Sequence, residues 1–365
     1  MKMKKDWLGI LVNDGLWEDI PRDQTGHENI DYYYESGQRY DLTPCFFRLR
    51  DVSLRNGQVN VLVKSEGRWK QHHIKIPRVV HNRAIFQSPL GYTYCKKLAE
   101  KGVSLFNFWN RYSKVEIAEI LSLHKSLIQY LPMSDRFSLS QLAKMGQQYP
   151  SIMLKPDKGT VGEGIIKVDR ITPLLWNVKY RSGRQLADHM VATGELYPSL
   201  KRLVGNRAYF LQETIRLATY KGSPFDIRVS IQKDGKGKWG VTGMIGKAAR
   251  PGHFLSNVAQ GGTVYRLEEL LQEYPDLILG EVSDKLEELA LNIVHALEKK
   301  LPHLADVGFD FGIDRLGHPY FIEMNGRDQR YSFAKGNMLD TWKLTYEKPV
   351  AYARYLLEKR KERVQ

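Results

Sequence analysis

Hydrophobic spacing divides the chain into two regimes. Over the first third, short apolar runs alternate with stretches of helical periodicity, a mixed α/β pattern. Leu8-Gly9-Ile10-Leu11-Val12 is a buried-strand candidate. Residues 46–54 and 59–63 predict strands on either side of Asn56-Gly57, a dipeptide suited to a tight hairpin turn. Residues 90–101 predict a helix closed by Gly102, where a glycine cap belongs, and residues 103–106 a further strand. Residues 116–131 keep helical spacing up to Pro132, and residues 138–144 start another short helix.

From Ser151 the pattern becomes strands and tight turns. Residues 151–155, 164–168, 209–212, 227–232 and 239–244 each predict a strand, the last two joined at Asp234-Gly235. Residues 281–301 predict a long amphipathic helix with Leu286, Leu289, Ile293 and Leu297 along one stripe. A hairpin over 307–325 and a basic helix over 352–364 complete the pattern. No internal repeat or low-complexity segment interrupts it.

Composition narrows the class. The chain has 365 residues, 42% hydrophobic and 26% charged, which excludes global disorder and predicts two or three lobes. No run approaches the roughly 18 apolar residues of a membrane helix. The basic start, Met1 to Lys5, precedes an apolar stretch too short for a signal peptide. Two cysteines, Cys45 and Cys95, argue against a disulfide scaffold or a cysteine zinc site, so a reduced, cytoplasmic protein is expected. Lys and Arg outnumber Asp and Glu by 55 to 41, a net +14. Such a surplus suits an anionic substrate, an anionic membrane surface or nucleic acid. No zinc-finger spacing or aromatic RNA-binding signature accompanies it, so nucleic acid is not an expected partner.

Three segments carry chemistry. Lys155-Pro156 is followed by Gly159, Gly162 and Gly164. Glycines let a backbone approach a phosphate and point N–H groups at it. There is no GxxxxGK[ST] loop, and the strand-like Ile165-Ile166-Lys167-Val168 stands where a dinucleotide fingerprint needs a helix. The glycines therefore join two strands. From these residues alone, a phosphate lid and a mobile surface hairpin both stay open.

The second segment runs from Asp310 to Asn325. With its turn at Leu316-Gly317, Asp310 opposes Glu323, and Asn325 shares their face. Ile322 and Met324 then fall on the other face, toward a core. Two carboxylates and an amide oxygen with no base between them suit Mg²⁺. The alternative, a solvated acidic edge, conflicts with the apolar flanks. In the third segment, the strand Phe210-Leu211-Gln212-Glu213-Thr214-Ile215 ends in acceptors, and Asp226 and Arg228 share one strand face. The acid could hold a ribose hydroxyl and the arginine a phosphate; a structural ion pair is the alternative. Lys247 and Arg250 precede Ser256-Asn257 and Gly261-Gly262, a composition suited to an active-site loop.

In this order the motifs resemble the ATP-grasp superfamily over roughly residues 151–325. More closely, the chain resembles the YheC/YheD-type endospore coat-associated ATP-grasp proteins of spore-forming bacteria. That likeness rests on Gln212 to Ile215, Gly222 to Val229, Gln232-Lys233, Trp239 to Gly243, and Ser256-Asn257 with Gly261-Gly262. Upstream, Pro77 to Arg83, Phe106-Asn107 and Leu131-Pro132 also fit. The resemblance implies an α/β and α+β fold. An amino-terminal Rossmann-like pre-ATP-grasp domain would occupy residues 1–115. Two lobes, near 116–208 and 209–340, would clamp nucleotide, with the carboxyl-terminal helix, 341–365, packed outside.

It further implies that Lys155 contacts the nucleotide, that the loop holding Gly159, Gly162 and Gly164 covers its phosphates, and that Gln212, Glu213 and Ile215 belong to an adenine hinge. Asp226 would hold ribose, and Arg228 and Lys247 would face the phosphates. Asp310, Glu323 and Asn325 would hold Mg²⁺, with Mn²⁺ as a substitute. Lys114 stands where many relatives have another nucleotide-contacting lysine. The implied activity is ATP-dependent joining of a carboxylate to an amine through an acyl phosphate, in a spore-former. A nucleotide-binding coat-associated protein with little catalysis and another phosphotransferase are the alternatives. The substrate pair stays unidentified, coat proteins are candidate partners, and the oligomeric state stays open. There are departures: Lys247 replaces a frequent Arg, Gly308 stands where some ligases carry an Arg, and no proline follows Asn325.

Overall fold

Three β-sheets carry the chain. They are seen in a computed structural model that describes residues 6–159, 162–183, 185–258 and 261–362. The basic start, Thr160-Val161 of the glycine loop, and the end of the last helix including Val364 lie outside the described residues.

The first sheet contains β1 (Asp6–Leu11), β2 (Leu42–Phe47), β3 (Val52–Ser53), β4 (Gln58–Ser65), β5 (Arg68–Lys75), β6 (Val79–Asn82) and β7 (Ser104–Phe106). Their order is β3-β4-β2-β1-β6-β7, with β5 paired to β4. Strands β2, β1, β6 and β7 run parallel. Such strands are covered on both faces, which is why they read as apolar runs. Leu8 and Ile10 join one hydrophobic cluster, Leu11, Phe47 and Val80 another. Helices α1 (Asp14–Asp19), α2 (Ile30–Arg39) and α3 (Pro89–Glu100) lie in the connections. Asn56-Gly57 closes the β3–β4 hairpin, and Gly102 follows α3 with φ +81°.

The second sheet is antiparallel, order β12-β11-β10-β9-β13-β8. It comprises β8 (Ser134–Arg136), β9 (Ser151–Pro156), β10 (Ile166–Thr172), β11 (Leu175–Ser182), β12 (Gln185–Ala192) and β13 (Tyr209–Glu213). Helices α4 (Lys114–Ser122), α5 (Leu139–Gln148) and α6 (Leu196–Val204) accompany it. Two expectations need correction here, and one stretch carried none. The helix expected over 116–131 stops at Ser122, whose hydroxyl donates to Glu119 O (2.9 Å) and competes with the next turn. Strands β11 and β12 and helix α6 were not anticipated. Strand β13, expected to open the second lobe, pairs with β9 and β8 in this sheet.

The third sheet holds β14 (Thr219–Tyr220), β15 (Ser223–Lys233), β16 (Trp239–Ala248), β17 (Thr263–Tyr265), β18 (Asp306–Ile313) and β19 (Pro319–Asn325). Helices α7 (Leu267–Leu271), α8 (Leu279–Glu298), α9 (Tyr331–Lys335) and α10 (Leu339–Glu362) follow in chain order. The expected stripe of α8, Leu286, Leu289, Ile293 and Leu297, is buried against this sheet. Helix α10 corrects the expectation of an outer helix. It packs on α2, β6 and β15, and Tyr346, Val350, Ala353 and Leu357 share a core with Leu8 and Ile10.

A sealed set of polar groups joins the first and third sheets. Asn107 adopts φ +49°, and its Oδ1 accepts from the N–H groups of Ala305 and Asp306, both at 3.0 Å. Asp306 is fully buried. It accepts from Arg330 and from Gln232 (2.7 Å), and His81 Nε2 stands 3.1 Å away. Arg83 donates to Glu28 (3.0 Å), which also accepts from Tyr33 (2.8 Å). Burial acts upward on Asp306, but Arg330, His81 and Arg83 together hold it well below the carboxylate range. Burial takes His81 down to about 4, so it is neutral.

Candidate nucleotide-binding site

Strand β9 delivers Lys155 into a cavity of about 270 Å³ between the second and third sheets. Lys155 is buried and donates to Gln212 Oε1 at 2.5 Å, across the β9–β13 pairing. Burial, reinforced by the charge of Lys114, pulls its pKa down to about 8. The α4 N-terminus is fixed from the same strand end. Asp157 accepts from Ser113 Oγ (2.6 Å) and Val115 N (3.2 Å), and Ser113 caps the helix. This brings Lys114 into an ion pair with Glu323. Lys114 thus lies on the same cavity as Lys155 although 41 residues separate them in the chain.

The acids come from the β18–β19 hairpin. Asp310 opposes Glu323, as the sequence predicts, but the route differs. Near the turn, Ile313 pairs with Pro319 and Phe311 with Phe321, one residue out of the expected register. A bulge between Asp310 and Phe311 restores the Asp310–Glu323 pair. It also carries Ile322 out of the core, where alternation assigns it, and into the cavity wall. Met324 keeps its core side, packed against the third-sheet cluster.

Asp310 lies at the centre of a buried charge network. Arg228 grips it with Nε at 2.6 Å and Nη2 at 2.9 Å, and Lys247 Nζ is 2.8 Å away. Lys247 also pairs with Asp226 at 2.7 Å, its partner across β15–β16. Burial opposes ionisation of Asp310, yet Arg228 and Lys247 hold its carboxyl well below the usual range. Burial and the charge of Asp310 push Asp226 up, against Lys247. Against its burial, Asp226 and Asp310 raise Lys247. Burial likewise raises Glu323, but Lys114 outweighs it and the net direction is down.

The structure thus gathers most of the expected residues around one cavity. Lys114, Lys155, Gly159, Gly162, Gln212, Glu213, Ile215, Asp226, Lys247, Asp310 and Glu323 all line the cavity. Three do not. Arg228 lies beneath Asp310, between it and Asp328, which it reaches at 3.3 Å. Asn325 backs Asp310, donating from Nδ2 at 3.2 Å. Gly164 has φ +74° and packs its carbonyl on the Tyr209 hydroxyl (2.8 Å). Asp226 lines the cavity while engaged by Lys247 and by the Ser256 hydroxyl. The Gly308 departure is also filled: a Cβ there would lie 2.4 Å from Asp328 Oδ1. Sequence reasoning missed the apolar walls, Met153, Ile165, Leu217 and Ile322. Their hydrophobicity reads as core, and only the bulge distinguishes Ile322.

The donors fit a hard divalent cation. Asp310 and Glu323 are opposed and biased toward their ionised forms, and Asn325 Oδ1 has no partner among the described residues. Among those residues no group of three or more His, Cys, Asp or Glu assembles as a metal site. Here both acids are neutralised by Lys114, Arg228 and Lys247.

Two α+β sheets closing on a cleft lined by lysines, opposed acids and a glycine-bearing strand connection define an ATP-grasp fold. Solved structures of that class match nearly the whole chain. D-cycloserine synthetase DcsG aligns with TM-score 0.56 and 13% identity, over 97% of this chain and 99% of its own. The VanG D-Ala:D-Ser ligase from Enterococcus faecalis gives 0.55 and 12%, over 96% and 100%. The ligase PsnB, complexed with a phosphomimetic precursor variant, Mg and ADP, gives 0.53 and 12%, over 94% and 99%. Within that class the chain belongs to the YheC/D-like ATP-grasp family, whose model matches residues 102–356. It is similar to two Bacillus subtilis (strain 168) proteins. The endospore coat-associated protein YheD is 28% identical over 86% of this chain and 71% of its own. The endospore coat-associated protein YheC is 18% identical over 89% and 88%.

Proposed function

We propose that this protein is an ATP- and Mg²⁺-dependent ligase that joins a carboxylate to an amine. The observation that carries the reading is the convergence of Lys114, Lys155 and Lys247 with Asp310 and Glu323 on one cavity. In the reaction, a substrate carboxylate oxygen attacks the γ-phosphorus of ATP, releasing ADP and forming an acyl phosphate. An amine nitrogen then attacks the acyl carbon, phosphate leaves, and the amine loses a proton. The demand on the protein is to neutralise and align a transferring phosphoryl group. Lys155 and Lys114 supply point charges to the nucleotide phosphates. Lys247 faces the transferring group. Arg228 acts one layer back, fixing the Asp310 carboxylate in a two-point grip.

The backbone of Glu213 to Ile215 would receive adenine between Met153 and Ile322. The Gly159 and Gly162 backbone would close over the phosphates. Asp310, Glu323 and the Asn325 amide would hold Mg²⁺, or Mn²⁺ in its stead. Bound there, the ion would screen the charge between β- and γ-phosphates. For that to happen Lys114 must leave Glu323, which frees it for the nucleotide.

The neighbours' names point to amino-acid and peptide substrates, the relatives' names to spore-coat association, and both are proposed for this chain. A second reading, nucleotide binding with little catalysis, draws on Gly308, where a buried carboxylate occupies the space some ligases give to an arginine. The test is calorimetric titration with Mg²⁺ and a non-hydrolysable ATP analogue. Micromolar binding, abolished by EDTA and weakened at least tenfold, about 1.4 kcal/mol, by Lys155→Ala, is expected. Absence of binding by the folded wild type removes both readings. Binding without ADP release across a panel of amino acids and dipeptides favours the second.

A further inference from the structure

A second cavity is larger than the one where the charges converge. It encloses about 530 Å³ between α4, the β8 edge and β19, behind the wall formed by Lys114, Gln212 and Glu323. That volume is within the range of about 300–1,000 Å³ typical of small-ligand sites. Its walls are apolar: Ile117, Leu131, Phe210 and Phe321 inside, Ile128 and Met133 at the rim. Ile128 and Met133 are 52% and 54% exposed, and nearby Leu123 is 74% exposed. Exposed large hydrophobics gathered at a cavity mouth mark binding rather than random surface.

The charges at this cavity are unbalanced. Glu119, Asp135, Glu213 and Glu323 line it, against Lys114 and Arg136. Lys114 is paired with Glu323, and Arg136 with Glu119 at 3.5 Å. Asp135 and Glu213 have no cationic partner among the described residues. Each has one oxygen accepting a backbone N–H, at 2.7 and 2.9 Å. An occupant with an anionic head would meet uncompensated acids; one with an ammonium head would complete them.

We infer that this cavity binds a small amphipathic amine, with a ring or branched aliphatic body against the Ile117–Phe210 walls and its ammonium toward Asp135 and Glu213. The cavity shares a wall of Lys114, Gln212, Glu213, Ile322 and Glu323 with the nucleotide cavity, but amine binding there does not require the ligase reading. Methionine methyls distinguish the two. Met133 and Met324 line this cavity, and Met153 lines the nucleotide cavity.

The experiment uses the full chain with methyl-labelled methionine and no nucleotide, titrated with phenethylamine and separately with phenylacetate. Phenethylamine should shift the Met133 and Met324 methyls saturably, with a Kd near 1 mM or below, and leave Met153 in place. Phenylacetate should bind at least tenfold more weakly. Ala118→Trp, which fills the cavity from α4, should remove the shifts. Exposed Asp135→Asn, which spares the packing, should weaken the amine about threefold and strengthen phenylacetate by a similar factor. No saturable shift up to about 10 mM, movement of Met153 alone, or equal binding of the two probes each overturns the inference.

Discussion

Two buried charge clusters lie four residues apart along strand β18, and they differ in how completely their charges are satisfied. Around Asp306, at the start of the strand, His81, Arg83, Gln232 and Arg330 converge with nearly no exposure. Around Asp310, four residues on, the same kinds of groups border a cavity, and Glu323 and Lys114 keep side-chain exposures of 29% and 22%. The first cluster fastens the first sheet to the third. The second holds its partners provisionally, since each cation now on an acid is also within reach of the cavity or supports one that is. Buried ion pairs by themselves are weak evidence of stability or of function. What separates the two clusters is access.

That contrast can be broken deliberately. The largest effect is expected in the sealed cluster. Arg330→Ala leaves Asp306 facing fewer cations with no water to replace them, and should cost about 3–5 kcal/mol in denaturant unfolding. A loss below about 1 kcal/mol would mean the cluster is not closed to solvent. In the open cluster the order reverses. Glu323→Gln should leave the unfolding free energy within about 1 kcal/mol of wild type. It should weaken Mg²⁺-dependent binding of an ATP analogue at least tenfold, about 1.4 kcal/mol. Equal damage to stability in both variants would erase the distinction.

The smallest and sharpest test is pH. The Lys155 pKa is lowered from 10.5 to about 8 in the folded chain. Between those values the unfolded chain holds a proton that the folded chain has released, so this group's contribution to stability rises with pH across that window. Anion binding runs the other way. Affinity for a triphosphate analogue should fall as pH rises through about 8, and Lys155→Arg should flatten the profile. A profile already flat in the wild type removes Lys155 from the phosphates.

The open cluster was legible in the sequence and the sealed one was not, for a physical reason. Asp310, Glu323 and Asn325 lie on one hairpin, within reach of local strand arithmetic. Glu28, Arg83, Asp306 and Arg330 come from four distant segments, and no local spacing couples them. The bulge shows how narrow the local success was. The expected turn gives the correct acid pair only because a one-residue slip near the turn is cancelled before Asp310 is reached. The same slip misassigned Ile322. Strand β12 escaped notice because most of its side chains are exposed, leaving no apolar alternation to read. Helix α4 was overextended because Leu123, Leu127 and Ile128 keep helical spacing beyond the serine that ends it.

Helix α10 carries a consequence for how the protein is made. It follows in the chain every strand it covers, yet it packs on α2, β6 and β15, and its Tyr346 hydroxyl accepts from Asn29 N at 2.9 Å across 317 residues. On the ribosome, the first and third sheets must therefore wait with one flank uncovered until the last helix has emerged. Domains generally fold as units from the amino-terminal end during synthesis, and exposed apolar surface is where chains misassociate. For this protein that hazard lasts until α10 is translated. A nascent chain stalled before Leu339 is thus the species a chaperone would hold longest.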